Sequence, residues 1–94
     1  MNTTIQSLHF TARPELIEFT KEETAKLAHL NSAILSADVT LKLENSDTRD
    51  NKVCEIRLSI PGNDLFAKRQ CATFEEAVKQ VINALRQQLE HAKA

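Results

Sequence analysis

The alternation of hydrophobic and polar residues near the start of the chain predicts a β-strand. Residues 4–11 are rich in β-branched and aromatic side chains, and their period of two is that of extended backbone. Successive side chains of a strand point to opposite faces. We therefore expect Leu8 and Phe10 on one face of this strand, and Ile5 and His9 on the other.

An amphipathic helix is predicted after the first strand. Pro14 is well placed as its first residue, because the N–H that proline lacks is not needed there. Asn31 and Ser32 mark its end. The residues that recur at helical spacing, and are expected to face the core, are Leu16, Phe19, Thr20, Leu27 and Leu30.

Three further strands are predicted in the middle of the chain. Over 37–44, and again over 53–60, apolar residues alternate with polar ones, as in strands with one buried face and one solvated face. Residues 45–51 are all polar and predict a loop. Residues 61–64 form a turn, and 65–71 the returning strand.

The turn sets the expected pairing of the last two strands. If Gly62-Asn63 is a two-residue hairpin loop, Pro61 pairs with Asp64. The same register pairs Cys54 with Cys71. In a reducing compartment we expect two buried thiols there rather than a disulfide.

The clearest helix in the sequence begins after Thr73. Thr73 followed three residues later by Glu76 is a capping-box pattern. Charged and amide residues fall on one side of this helix. The opposite side is an uninterrupted apolar stripe of Phe74, Ala77, Val78, Val81, Ile82, Leu85 and Leu89.

These elements predict one α+β domain over residues 1–94. Their order, β-α-β-β-β-α, favours a two-layer sandwich with both helices packed on one face of a mixed four-stranded sheet. The first two strands are expected to pair in parallel through a right-handed crossover. The other sheet face is expected to be open to water and to carry Thr40, Lys42, Glu55, Arg57 and Ser59.

Composition limits the classes of partner. The hydrophobic fraction is 41% and the charged fraction 27%, as in ordinary soluble domains, and no apolar run approaches the ~20 residues of a membrane span. The N-terminal residues lack the pattern of a signal peptide, so we expect a cytoplasmic protein. The net charge is −1, so composition by itself does not point to nucleic acid, and we expect no DNA partner. RNA binding would depend on where the charges lie, not on their sum.

Sequence patterns of catalysis and metal binding are absent. His9, His29 and His91 have no Cys, Asp or second His at ligand spacing. The single glycine, Gly62, excludes a glycine-rich phosphate loop. We therefore expect no enzyme activity, no cofactor and no metal.

Basic residues on the last helix suggest contacts with nucleic-acid phosphates. Lys79, Arg86 and Lys93 are spaced by sevens, so they fall on nearly one line along the exposed side. The same spacing admits a simpler interpretation. Glu75–Lys79 and Arg86–Glu90 are both i, i+4 pairs of opposite charge, which are common on the solvent-exposed side of helices. Spacing by itself does not decide between the two.

Five segments resemble the ribosome hibernation-promoting factor family, also known as ribosome-associated translation inhibitors or sigma-54 modulation proteins. They are IQSLHFTA (5–12), AKLAHL (25–30), VTLKLE (39–44), PGNDLFAKR (61–69) and TFEEAVKQVINALRQQLEHAK (73–93). The resemblance covers essentially the whole chain, and it depends on order, spacing and length rather than on one motif. It implies the same β-α-β-β-β-α fold.

The resemblance implies a translation inhibitor that acts by occlusion. Members of that family occupy the decoding channel of the small ribosomal subunit, contact 16S rRNA, and block messenger and tRNA binding in non-growing cells. The positions that match the family's RNA-contacting residues are Lys21, Lys26, Lys68, Arg69, Lys79, Arg86 and Lys93.

Several positions depart from the family's basic pattern. Glu22 and Glu23 stand where relatives often carry lysine, and Ala84 and Gln87 where many are basic. Fewer phosphate contacts predict a weaker complex. Longer members carry a second domain that pairs two ribosomes, for which 94 residues leave no room, so pairing would need a separate factor. Self-association of this chain stays open.

A second hypothesis is a regulatory protein-interaction module that modulates a sigma factor or another partner. It would use the open sheet face, or an edge formed by the first or last strand. Charge reversal at Lys79 and Arg86 separates the hypotheses, because it removes ribosome binding under the first and leaves partner binding under the second.

Overall fold

The computed structural model describes residues 1–44 and 49–92. Most of the loop predicted at 45–51 lies outside the described residues, as does Lys93. The predicted element order is confirmed. The elements are β1 (Asn2–Leu8), α1 (Pro14–Leu30), β2 (Ser36–Leu43), β3 (Lys52–Ile60), β4 (Asn63–Cys71) and α2 (Phe74–Ala92).

The strands form one mixed sheet in the order β1-β2-β3-β4. The pair β1–β2 is parallel, as expected for strands joined by a helix, and β2–β3 and β3–β4 are antiparallel. Both helices pack on one face of this sheet, with α1 beside α2, and α2 over β3 and β4. The two-layer α+β sandwich predicted from periodicity is therefore confirmed.

The core lies between the sheet and the helices. Two threonines of α1 are buried in it, and each satisfies its hydroxyl within the helix. Thr20 donates to the carbonyl of Leu16 at 2.8 Å, and Thr24 donates to the carbonyl of Thr20 at 2.7 Å. The largest fully buried side chains around them are Leu27, Val39, Leu41, Ile56, Leu58, Val78, Val81, Leu85 and Leu89.

The first strand lies earlier than predicted, at Asn2–Leu8 rather than 4–11. β1 begins at Asn2, which pairs with Ser36 in the parallel register. The strand ends before His9, whose φ of 69° interrupts the extended backbone. Ile5 packs against the core, whereas Leu8 is 37% exposed on the opposite face. The expectation that Leu8 and Ile5 lie on opposite faces is confirmed, and the face that packs on the core is that of Ile5.

The hairpin turn is one residue earlier than predicted. Its loop is Pro61-Gly62, and Ile60 pairs with Asn63. Proline sets φ near −65°, and Gly62 has a φ of 82°, which is the residue pattern of a type II turn. Because the loop moves by one residue, every pair of the β3–β4 ladder moves by two.

The predicted pairing of Cys54 with Cys71 is therefore wrong. Cys54 lies opposite Arg69, and Cys71 lies opposite Lys52. Diagonal neighbours across antiparallel strands are about 7–8 Å apart, which is further than a disulfide usually spans. Both thiols are free and buried. Burial raises the pKa of Cys54 to about 12 and also raises the pKa of Cys71, so both are protonated core side chains.

The residues of the open sheet face are less exposed to solvent than the alternation of apolar and polar residues predicts. Val53 belongs to this face, yet it is 0% exposed. It lies between Lys42 on β2 and Gln70 on β4, whose long side chains flank it. Of the residues expected on this face, Arg57 is exposed, whereas Thr40, Lys42, Glu55 and Ser59 are half-buried.

Candidate nucleic-acid interface

The exposed side of α2 carries two residues of the predicted basic line. The helix start is set by Thr73, whose Oγ1 accepts the N–H of Glu76 at 3.1 Å. The rotation of the helix is set by its buried apolar stripe. Lys79 and Arg86 are consequently exposed, and their spacing of seven residues separates them by about 10 Å along the axis.

Lys79 lies at the boundary between the two helices. Its Nζ is 5.9 Å from the centroid of the Phe19 ring on α1. A cation over a ring face is attracted by the ring quadrupole. The contact therefore positions the ammonium group beside α1 without neutralising its charge.

Arg86 also contacts a neutral group. Its Nη2 donates to Oδ1 of Asn83, one turn earlier on α2, at 2.6 Å. A guanidinium carries five N–H donors, so one such bond leaves others for an anion. The bond restrains the side chain along the exposed side of α2.

The i, i+4 ion pairs of the simpler interpretation do not form in the described part of the chain. Neither Glu75–Lys79 nor Arg86–Glu90 is among its ion pairs. Each of these two cations contacts a neutral group instead.

Lys26 lies on the same boundary as Lys79. It follows Phe19 by seven residues, which returns it to nearly the same side of α1. Its Nζ is 2.7 Å from Oε2 of Glu23, so part of its charge is compensated. Lys21 follows Phe19 by two residues, or about 200° around the helix, and so lies on the side of α1 away from α2.

The two basic residues of β4 point to opposite faces of the sheet. Lys68 pairs with Glu55 on the open face. Arg69 pairs with the buried Cys54 and so lies on the helix side, where its Nη1 donates to the carbonyl of Lys68 at 2.8 Å. Because adjacent strand residues alternate in direction, one flat RNA surface cannot receive both side chains.

The structure thus brings together only part of the predicted set. Lys26, Lys79 and Arg86 border the boundary between α1 and α2, which we call the interhelix surface. Glu22 is on the same flank of α1, three residues after Phe19, and lowers the positive potential there. Lys21 and Lys68 face elsewhere, and Arg69 lies on β4 at the edge of the sheet.

A cleft that the sequence did not predict lies where both helices begin. Phe10 stacks on Phe74 with ring centroids 4.5 Å apart and an interplanar angle of 11°. The cleft has a volume of about 530 Å³ and is lined by Phe10, Thr11, Arg13, Glu15, Leu16, Phe74 and Glu75. Arg13 adds a cation missing from the predicted set. Its only sequence signal was its position directly before Pro14, where it is the N-cap residue of α1 without a side-chain capping bond.

The open sheet face differs from the interhelix surface in its ion pairs. Lys42 Nζ lies 3.1 Å from Glu44 Oε1 and 3.3 Å from Glu55 Oε2. Hydrogen bonds to Glu44 and then Glu55 raise the pKa of Lys42. Arg57 lies 3.7 Å from Asp64, and its guanidinium is 5.6 Å from the centroid of the Phe66 ring. Lys42 and Arg57 are thus compensated by carboxylates, whereas Lys68 on the same face is not among the ion pairs of the described residues.

Two features are absent from the described residues. Residues 1–44 and 49–92 contain no cluster of three or more His, Cys, Asp or Glu side chains that could hold a metal ion. Neither α1 nor α2, as described, is both long and apolar enough to span a membrane.

Known structures share this fold at low sequence identity. A ribosomal subunit interface protein from Coxiella burnetii superposes with a TM-score of 0.87 at 16% identity, covering 99% of this chain and 98% of its own. The N-terminal domain of Protein Y from Thermus thermophilus superposes with a TM-score of 0.81 at 18% identity, covering 97% and 98%. At such identities the likeness establishes the fold alone.

The sequence itself identifies the family. No curated protein matches this chain. The family model described as Sigma 54 modulation protein / S30EA ribosomal protein, however, matches residues 3–94. The match confirms the family resemblance seen in the separate segments. The chain therefore belongs to the Sigma 54 modulation protein / S30EA ribosomal protein family.

Proposed function

We propose that this protein is a translation inhibitor that binds the small ribosomal subunit through 16S rRNA. In this proposal it occupies the decoding channel in the cytoplasm of non-growing cells and blocks messenger and tRNA binding. Family membership supports a ribosomal role, since the family description includes a ribosomal protein. The Coxiella burnetii protein of the same fold is described as a ribosomal subunit interface protein, which agrees with it.

The observation that carries the proposal is the contrast between the two faces of the molecule. On the open sheet face, Lys42 and Arg57 are paired with carboxylates. On the interhelix surface, Lys79 and Arg86 contact a ring and an amide, which leave their charges uncompensated. When an uncompensated cation of the protein binds an RNA phosphate, counterions leave the RNA and binding is favoured. A cation in an ion pair must first separate from its carboxylate, which costs free energy. RNA therefore favours the helix side.

The proposed mechanism is steric and breaks no bond. The folded chain measures 41 × 23 × 18 Å, with a single core that holds its helices on the sheet. Phosphate contacts position such a body but carry no base sequence information. Once held in the channel, its volume excludes the messenger and the tRNA.

Acidic residues on α1 set the expected strength of binding. Glu23 compensates Lys26, and Glu22 lies on the same flank. The number of phosphates bound is then small, centred on Lys79 and Arg86. The logarithm of the affinity should fall with the logarithm of salt concentration by about 0.7–0.9 for each phosphate contacted.

Co-sedimentation with ribosomal subunits across a salt series tests the proposal. The protein is expected to pellet with the small subunit at low salt and to be released as salt rises. Lys79→Glu with Arg86→Glu should abolish pelleting. The matched control is Arg57→Glu with Lys68→Glu, which changes the net charge equally on the open sheet face. This control is expected to bind like the original chain.

Two outcomes contradict the proposal. One is a protein that stays in the supernatant at the lowest salt. The other is a loss of pelleting in the Arg57 and Lys68 control that equals the loss in the Lys79 and Arg86 variant. Chemical probing of 16S rRNA in the pelleted complex then tests the finer statement, since protection is expected at the messenger and tRNA sites.

The protein-interaction module remains the second candidate function. The observation that favours it is Phe66, which is 45% exposed on the open sheet face beside Arg57. An exposed aromatic ring with a cation is typical of protein-binding surfaces. Under this candidate, Phe66→Ser would abolish partner binding and leave pelleting with ribosomes unchanged.

A further inference from the structure

The outer edge of β1 lacks the features that usually protect an edge strand. β1 pairs only with β2, so its other edge has no strand beside it in the described part of the chain. Edge strands are normally protected by charges, proline or bulges. The sequence of β1, NTTIQSL, has no charged residue, no proline and no glycine, and its pairing with β2 runs without a bulge. Most of its side chains are exposed.

The opposite edge of the sheet, formed by β4, is protected. It carries the charged residues Asp64, Lys68 and Arg69. In addition, Nε2 of Gln88 on α2 donates to the carbonyl of Phe66 at 3.0 Å, so this backbone acceptor is already used. Of the two edges, β1 is the one suited to receive another strand.

The backbone of β1 presents a defined set of groups outward. The N–H of Asn2 donates to the carbonyl of Leu35 at 3.1 Å, so the backbone of Asn2 points toward β2. Backbone direction alternates along a regular strand. The N–H and C=O groups that point away from the sheet are therefore those of Thr3, Ile5 and Ser7.

We propose that a second copy of this chain docks here, through antiparallel pairing of the two β1 strands about a two-fold axis at Ile5. In this register Ile5 pairs with Ile5 of the other copy, and Thr3 pairs with Ser7. These are the residues whose backbone groups point outward, so each pair can exchange both hydrogen bonds. A shift by one residue would set those groups against groups already bonded to β2.

The side chains on β1 are compatible with a copy of themselves. Thr3 meets Ser7 and Thr4 meets Gln6, so no like charges face each other and hydroxyl pairs favour the contact. Such a self-complementary patch is what a two-fold dimer requires, because each copy contributes the same residues. A partner with a charged strand would lose these matched polar pairs.

Exposed apolar side chains cluster around the same strand. Among the large hydrophobic residues that are exposed in the described chain, three lie on or beside β1: Met1 at 42%, Leu8 at 37% and Leu35 at 58%. Leu8 of one copy lies opposite Asn2 of the other in the proposed register, next to Met1. Pairing would thus cover apolar surface as well as satisfy backbone groups.

The dimer would leave the interhelix surface accessible. α2 packs over β3 and β4, at the other end of the sheet from β1. Self-pairing and RNA contact therefore use separate parts of the molecule. The proposed dimer does not depend on the proposed function, and each can be tested separately.

Sedimentation equilibrium of the purified chain over a range of concentrations tests the proposal. A monomer–dimer equilibrium is expected. Thr4→Lys with Gln6→Lys places like charges opposite each other in the proposed register and should weaken the dimer roughly tenfold or more. The matched control is Gln80→Lys with Gln87→Lys on the exposed side of α2, which adds the same charge and should leave the dimer intact. Circular dichroism checks that both variants fold.

Amide hydrogen exchange distinguishes this dimer from any other. The amides of Thr3, Ile5 and Ser7 should be protected only at dimer-forming concentration, whereas those of Thr4 and Gln6 should be protected at all concentrations. A chain that is monomeric at its highest soluble concentration overturns the proposal. So does a dimer that the Thr4 and Gln6 variant leaves unchanged, since it must form through another surface.

Discussion

The ammonium group of Lys79 on α2 lies 5.9 Å from the centroid of the Phe19 ring on α1. The two residues belong to different helices and are separated in sequence by β2, β3 and β4. Their contact fixes where the positive charge of α2 lies relative to α1. Lys79 makes this contact and no ion pair with Glu75, its i−4 neighbour. The same contact contributes to the packing of the two helices and to the charge of the interhelix surface.

Lys79 and Phe19 should be energetically coupled. A double-mutant cycle with Lys79→Met and Phe19→Leu, measured by urea unfolding, is expected to give a coupling of about 0.5–1 kcal/mol, because the contact is near the surface. The control cycle pairs Phe19→Leu with Arg86→Met. It should give no coupling, since Arg86 contacts Asn83 instead. Equal coupling in both cycles would contradict the assignment.

Loss of the α2 cap should destabilise the whole domain. Thr73→Ala removes the acceptor of the Glu76 N–H, which is bonded at 3.1 Å, and should lower the free energy of unfolding by about 1 kcal/mol. Thr73→Ser keeps the hydroxyl and should restore most of the loss. Urea denaturation at neutral pH measures both. A Ser variant as unstable as the Ala variant would point to the lost methyl group instead.

The Pro61-Gly62 turn should be sensitive to backbone conformation rather than to size. A Cβ added at Gly62 meets nothing within 4 Å, yet the φ of +82° disfavours side chains. Gly62→Ala should therefore cost about 1–2 kcal/mol, and Gly62→Asn less, because asparagine tolerates left-handed backbone. Thermal unfolding compares the two variants. An alanine variant as stable as the original chain would mean that the turn adopts another conformation.

The two thiols should be unreactive while the chain is folded. Burial raises the pKa of Cys54 to about 12 and raises the pKa of Cys71, so little thiolate is present at pH 8. Iodoacetamide should modify both residues slowly in the native protein and rapidly in urea. Fast native alkylation of Cys54 would contradict its burial.

Stability should fall at high pH for the same reason. Above pH 9, the ordinary pKa of a thiol, the unfolded chain releases the Cys54 proton, whereas the folded chain retains it up to about pH 12. The contribution of Cys54 is therefore complete below pH 9 and decreases as pH rises toward 12. The raised pKa of Lys42 acts in the same direction. Urea midpoints between pH 8 and 11 should fall less steeply in Cys54→Ala than in the original chain.

The sequence by itself determined the elements whose signals are local. Pro14 begins α1, Thr73 caps α2, and the apolar stripe ending at Leu89 is buried. Each depends on residues within one or two turns of helix, so spacing along the chain suffices. The same holds for the line of Lys79 and Arg86 on the exposed side of α2.

Tertiary structure alone decided the register in which the strands pair. The faces of β1 depend on its register with β2, and the partners of Cys54 depend on one residue in the Pro61-Gly62 turn. A shift of one residue in the β1–β2 register or in the turn leaves the period of two unchanged. The alternation of apolar and polar residues therefore cannot predict it.

Tertiary structure also decided which cations can act together. Lys68 and Arg69 are adjacent in the sequence but lie on opposite faces of the sheet, whereas Lys79 is next to Phe19 only because two helices pack. Charge partners depend on packing, since an ion pair forms wherever a carboxylate comes within reach in three dimensions. Residue types and spacing thus indicated candidate cations, and the fold determined which of them share a surface and retain their charge.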